Sequence, residues 1–277
     1  RTQVDTLTRS AMAQTVADGD ALLQLQLDLP VHHMEQSKVA GKVLLAGNRI
    51  QFHGDAPVVK QVTGAVQFSD HGFVLQDLRG QAFGGLVEFS GGMDVSGLPP
   101  GADHGPAVDV RVKGVATAEG LLQAQELGPM VQLAQWAKGQ TPYQLRISMA
   151  RGQPLIDVRS DLQGMALNLP EPLHKAAEQS WPMHFASTLG DAAGSSTPLR
   201  EHMDLDVAGR LQLRYVRELG TDAQTPSKVV SGAIRVGPGA LALPAKGVVV
   251  EANLPRLDVQ EWQKAMQILQ TDAPAAT

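Results

Sequence analysis

His202, Asp204 and Asp206 stand at alternate positions of one short segment, and histidine with carboxylates is the ligand chemistry of a metal ion. On a strand the three side chains would share a face. The neighbouring Met203, Leu205 and Val207 are all apolar. The triplet therefore also reads as the solvated side of a half-buried strand, and that reading is the stronger. His32-His33 is metal-like in type but not in geometry, because adjacent strand residues point to opposite faces. After Pro30 it is expected in a surface loop. Asp157, Arg159 and Asp161 alternate with Ile156 and Val158 and suit cross-strand ion pairs without acid–base catalysis. Gly84-Gly85 and Gly91-Gly92 lack the Lys-Ser/Thr of a phosphate loop, and no G-x-G-x-x-G occurs. Ser195-Ser196 has no nucleophile-elbow spacing. With no cysteine, disulfides, zinc-thiolate sites and thiol catalysis are excluded. No catalytic signature stands out, so the expectation is a protein that is not an enzyme, with no metal and no cofactor.

The elements that would carry these residues are strands. Leu23, Leu25, Leu27 and Leu29 alternate with Gln24, Gln26 and Asp28 until Pro30, which predicts a strand apolar on one face and polar on the other. A hairpin pattern recurs. Val39-x-Gly41-x-Val43 precedes Ile50-x-Phe52, Val62-x-Gly64-x-Val66 precedes Phe73-x-Leu75, and Val230-x-Gly232-x-Ile234 precedes Leu241-x-Leu243. The intervening Gly47-Asn48, Asp70-His71-Gly72 and Pro238-Gly239 are turn types. Val207-x-Gly209-x-Leu211 lies 23 positions before the Val230 copy, the spacing that also separates the Val39 and Val62 copies, which suggests two related β blocks. Alternation continues at Val108 to Val112, Tyr143 to Met149, Ile156 to Val158, Met165 to Leu169, Met203 to Val207, Leu211 to Tyr215 and Val248 to Leu254. Gly84-Gly85, inside a strand pattern, suggests a bulge or a close backbone approach. Ser90 to Pro106, rich in glycine and proline, is expected to be a loop.

Helices are expected near Thr6–Ala17, over Thr117–Lys138 with a break at Gly128-Pro129 and a cap at Gly139, and over Asp258–Leu269; the end from Thr271 is expected to fray. The reading is thus mainly β with a few helices. Elongated, curved antiparallel sheet or sheets, built from repeated hairpins, would present an apolar groove face. Residues 1–106 would form a first β block with a short N-terminal helix, 107–140 a strand plus helical insertion, and 141–277 a second β block with a C-terminal helix. A net charge of -5 without basic runs, and aromatics at 4%, argue against a nucleic-acid binder and against the aromatic girdles of an outer-membrane barrel. No run of 18 apolar residues predicts a membrane-spanning helix. The chain starts at Arg1 in ordinary sequence and is expected to be an excised fragment or mature segment.

Four stretches resemble the YhdP branch of the AsmA-like proteins of Gram-negative bacteria, relatives of TamB. They are Gly19 to Pro30, Val62 to Phe68 running on to Phe83-Gly84-Gly85, Ser160 to Lys175, and Leu254 to Val259 approaching Trp262. The most specific is Ser160-Asp161-Leu162-x-Gly164-x-x-Leu167-x-Leu169-Pro170-x-Pro172-Leu173-x-Lys175. The resemblance implies an interior slice of a large periplasmic protein whose anchor in the inner membrane lies outside this fragment. It also implies a role in moving phospholipid toward the outer membrane along a β-sheet groove. Acyl chains and adjoining segments of the same full-length protein would be its partners. The family offers no catalytic motif, so groove lining is assigned from strand alternation: Leu23, Leu25, Leu27, Leu29, Val43, Val66, Phe68, Leu145, Ile147, Leu205, Val207, Val248 and Val250. The alternative is a non-catalytic structural or interaction domain of the envelope whose strand faces are filled by its own core.

Overall fold

A computed structural model describes residues 16–28, 38–51, 57–94, 107–124, 131–150, 153–190, 200–219, 227–254, 258–260 and 262–263. Among them sixteen strands form an open, mixed sheet that does not close into a barrel. The chain divides into two compact units, residues 1–115 with 143–157 and residues 116–142 with 158–277.

The first unit holds β1 (Val16–Asp18), β2 (Ala21–Asp28), β3 (Lys38–Gln51), β4 (Val59–Ser69), β5 (Gly72–Ala82), β6 (Gly85–Asp94) and most of β7 (Ala107–Thr117) and β8 (Ala137–Ala150). Strands β3 to β7 follow one another as antiparallel neighbours, and β1 and β2 share the outer edge of β3. Three of these strands each carry one extra residue in left-handed backbone: Gly47 (φ 103) in β3, Gln61 (φ 52) in β4 and Asp77 (φ 47) in β5. A single extra residue in a pleated strand would send every later side chain to the opposite face. A β-bulge absorbs it. Leu45 and Asn48, Val62 and Val59, and Leu75 and Leu78 therefore stay on one face although each pair is three positions apart. Asn48 Oδ1 accepts from the Ala46 N–H across the first bulge at 3.0 Å, which satisfies a buried side chain.

The second unit holds α1 (Ala118–Leu122), α2 (Val131–Ala134), β10 (Met165–Asn168), β11 (His174–Lys175), β12 (Met183–Leu189), β13 (Arg200–Val207), β14 (Leu211–Glu218), β15 (Lys228–Val236) and β16 (Gly247–Ala252). β9 (Gln153–Ser160) has residues in both units. Thr117 caps α1, its hydroxyl accepting from the Gly120 N–H at 2.9 Å. The core gathers Trp136, Leu169, Leu173, Trp181, Val207, Leu211 and Val236, with Leu254 and Trp262 packed against it.

Several expectations are corrected. Gly47-Asn48 is no turn: β3 runs unbroken from Lys38 to Gln51 and the glycine is a bulge. Gly84-Gly85 is no bulge, though the close backbone approach holds: Phe83-Gly84 is the left-handed two-residue turn joining β5 to β6, and Gly85 opens β6 where a Cβ would stand 2.1 Å from the Val115 carbonyl oxygen. Leu241 to Leu243 form no strand; the chain after Pro238 crosses over and returns as β16. That strand pairs parallel with β15, which makes the sheet mixed, while the other strand pairs described are antiparallel, as expected. The 23-residue spacing is not structural, because Ala208-Gly209-Arg210 is the turn between β13 and β14. Ser90 to Asp94 belong to β6, Gly139 lies inside β8, and Val16 and Ala17 are in β1. Of the expected C-terminal helix, Val259, Gln260, Trp262 and Gln263 are helical; Thr6 to Thr15, Gly128-Pro129 and the chain from Lys264 onward lie outside the described residues.

Candidate functional site

The candidate site is the apolar side of the sheet, built in each unit from directly opposed residues. In the first unit Leu23, Val43, Val66 and Leu75 face one another across β2, β3, β4 and β5 and continue to Gly91 and Val110. The next row is Leu25, Gly41, Phe68, Phe73, Met93 and Val108. Gly41 is required here, since a Cβ would stand 2.5 Å from Phe68 Cζ and 2.7 Å from the Gln24 carbonyl oxygen. The ring of Phe68 thus fills the place that a side chain would take, as an aromatic residue can beside a strand glycine.

The two ends of this face differ. Past the bulges, Asn48, Val59, Val62, Leu78, Ala82, Val87 and Val112 are buried. Toward β2 the face is open: Val43, Val66, Phe68, Phe73 and Leu75 are half-buried, and Leu23, Leu25 and Leu27 are exposed, Leu25 by 51%. Leu145 and Ile147 on β8 are half-buried. Tyr143 on the same strand lies over Gly114 and edge-on to Phe83, and burial pushes its hydroxyl up to about 12. The reverse side is mostly polar, with Leu22, Val74 and Leu86 exposed among its polar residues. Asp109 there accepts from Arg146 Nε at 2.8 Å and pairs with Arg111, and these two hydrogen bonds, Arg111's first, hold its carboxyl below the usual range.

In the second unit three rows cross β12 to β16. Met183, Val207, Leu211, Val236 and Ala252 form the first, and all but Met183 and Ala252 belong to the buried core. Phe185, Leu205, Leu213, Ile234 and Val250 form the second, half-buried until Val250, which is exposed. Ser187, Met203, Tyr215, Gly232 and Val248 form the third. Val248 is exposed like Val250. One further step along the strands puts a charged pair on this face. Glu201 Oε2 accepts from Arg217 Nε at 2.5 Å, and Ser187 Oγ donates to Glu201 Oε1 at 2.5 Å. Nearby Tyr215 has its hydroxyl pKa raised, chiefly by burial.

The first row is closed by the segment from Ser160 to Trp181. Ser160 Oγ accepts from the Leu162 N–H and donates to the Pro142 carbonyl, and Asp161 Oδ1 accepts from the Gln163 N–H. The left-handed Gly164 lets the chain reverse into β10. Leu162, Leu167, Leu169 and Leu173 then drop onto the core. Lys175, with 0% of its surface exposed, donates through Nζ to the carbonyls of Leu162, Met165 and Ala176 at 2.7, 2.8 and 3.1 Å. The run that looked most specific in the sequence is therefore a plug, in which the leucines pack and Ser160, Asp161, Gly164 and Lys175 fix the backbone.

The structure brings Leu23, Val43 and Val66 into one row and Leu25 and Phe68 into another, and it places Leu205 with Val250 in the second unit. Leu29 and His32-His33 lie outside the described residues. The His202 triplet is on the polar side. Asp204 pairs with Arg214, and Asp206 accepts from the Gly209 N–H and from Gln212 Nε2. Among the described residues no three His, Asp or Glu side chains converge as a metal site, and no helix is long and apolar enough to cross a membrane. Glu201 and Arg217 were missed, although each occupies the position where the apolar alternation of its strand breaks off.

No curated protein and no solved structure matches the chain. A family model described as YhdP protein matches residues 1–276. With nearly its whole length matched, and with the Ser160–Lys175 run that carried the resemblance now seen to plug the core, the chain belongs to the YhdP family.

Proposed function

We propose that the chain is a periplasmic segment of a protein anchored in the inner membrane, and that its apolar sheet face shields phospholipid acyl chains on their way between the inner and outer membranes. Membership of the YhdP family is consistent with an envelope lipid-transport protein. The observation that carries the reading is the open end of the first unit's face, where exposed Leu23, Leu25 and Leu27 continue into half-buried Val43, Val66 and Phe68. The ladder satisfies backbone groups internally, so such a face offers hydrocarbon without stranded amides. Each methylene covered there contributes about 0.8 kcal/mol with no need of a shaped pocket. The outer edges of β2 and β16 have no strand neighbour among the described residues, which suits pairing with adjoining segments of the same full-length protein. The plugged first row of the second unit favours the other reading, a structural domain that fills its own faces.

Leu25→Asp separates the two. Leu25 is half exposed, so loss of its burial costs about 1 kcal/mol. The variant should melt close to wild type and lose crosslinking to a photoactivatable phospholipid. Val62→Asp, at a residue 2% exposed, is the control that should unfold. Undiminished crosslinking in a folded Leu25→Asp variant would refute the assignment.

A further inference from the structure

The Glu201–Arg217 pair is out of place on a face assigned to acyl chains. Aliphatic residues at both positions would pack there at least as well, because desolvating two charges commonly costs more than their attraction returns. Arg217 is also only partly used. Its pair with Glu201 is its side chain's one hydrogen bond among the described residues, and that bond takes Nε alone. Ser187 fixes Glu201 from the other side. The carboxylate thus grips the guanidinium by its inner nitrogen and leaves the outer edge, Nη1 and Nη2, without an acceptor among the described residues. Arg217 is not sealed off, with 16% of its side chain exposed. Tyr215, two residues back on the same strand face, brings a hydroxyl, and beyond it lies the half-buried row of Phe185, Leu205, Leu213 and Ile234.

A flat edge with two parallel N–H donors matches two oxygens of a phosphate. We propose that Arg217, positioned by Glu201 and Ser187, is an anchoring site for the phosphate of an amphiphile whose hydrocarbon lies on the adjoining aliphatic rows. This inference rests on the acyl-chain reading and adds to it a residue that recognises the headgroup.

The test uses two diazirine-tailed probes with the same acyl chains, a phosphatidic acid and a diacylglycerol, on the full chain. Wild type should label with the phosphatidic acid about tenfold more strongly, the effect of one good charge-assisted hydrogen-bond pair. The double variant Glu201→Gln/Arg217→Gln, which leaves no lone buried charge, should bring the phosphatidic acid down to the diacylglycerol level and leave the latter unchanged. If the double variant does not fold, Arg217→Lys carries the test: it keeps the charge, loses the fork, and should lose most of the preference. Equal labelling of wild type by both probes would overturn the phosphate site and leave acyl shielding standing. Labelling by neither would overturn both. Displacement of the phosphatidic acid by an equal concentration of inorganic phosphate would overturn the amphiphile and make this a free-phosphate site.

Discussion

Lys175→Met asks how much of the second unit depends on one buried amine. Methionine keeps the length and the apolar stem, so no large cavity opens, and the change falls on Nζ and its three acceptors. The Leu162, Met165 and Ala176 carbonyls lose their ammonium donor. The Leu162 and Ala176 carbonyls keep backbone donors, the Met165 and Gln179 N–H groups at 3.2 Å, so the full cost of a lost partner falls on the Met165 carbonyl, about 2 kcal/mol. For a unit of this size that lowers the Tm by about 5 °C. The assay is built in: the chain has three tryptophans, and Trp136, Trp181 and Trp262 all belong to the cluster under the plug or pack against it. Urea unfolding followed by their fluorescence therefore reports this core. The pH dependence has a definite sign. Burial lowers the Lys175 pKa from its ordinary 10.5, with Asp161 and Glu178 pulling the other way. The folded chain gives up this proton before the unfolded chain does, so the cost of burying the charge is fully present below the folded pKa and is relieved as pH rises toward 10.5. The stability gap between wild type and Lys175→Met should widen over that window. A loss under about 1 kcal/mol, or a gap that narrows with rising pH, would refute the account of Lys175 as the tie that holds the plug.

Gly64→Ala should cost about 1–3 kcal/mol, because φ is 120° and a Cβ would stand 2.5 Å from the Asp77 carbonyl oxygen; amide exchange should accelerate first around the β4 and β5 bulges, and an unchanged melt would show that the bulge relaxes freely. Both tyrosines are raised by burial, Tyr143 to about 12, so the absorbance of the folded chain should show no half-titration near 10. Burying these phenols carries its full cost above pH 12, where the unfolded chain has ionised and the folded chain is held back, so stability should fall as pH climbs from 10 toward 12; a normal phenol titration in folded protein would contradict the burial of both rings.

The strand faces were legible because burial on one side imposes alternation that survives in the residue order, as in Leu23 to Leu27 and Met203 to Val207. The turns were less so, for a physical reason. A tight hairpin and a bulge of this kind both require left-handed backbone, and Gly47 and Gly84 satisfy that requirement equally. Only the partner strand decides which occurs, and Gly47 finds β4 still beside it while Gly84 ends the pairing. Leu241 and Leu243 alternate like a strand yet lie within the crossover, where Arg214 reaches the Leu241 carbonyl. Lys175 was legible as the end of the run that carries the resemblance but not as a buried residue, because lysine is almost never fully buried. Glu201 and Arg217 did give one: each extends an apolar register by a charged residue.

The bulges at Gly47, Gln61 and Asp77 also bear on how such a chain can change over generations. In a strict pleat a one-residue insertion is ruinous, since it turns hydrocarbon outward along the rest of the strand. Here three successive strands each carry one residue more than a neighbour without losing their oily side. Such a sheet can lengthen or shorten by single codons, so homologues should differ in strand length at these positions while the hydrophobic side stays continuous.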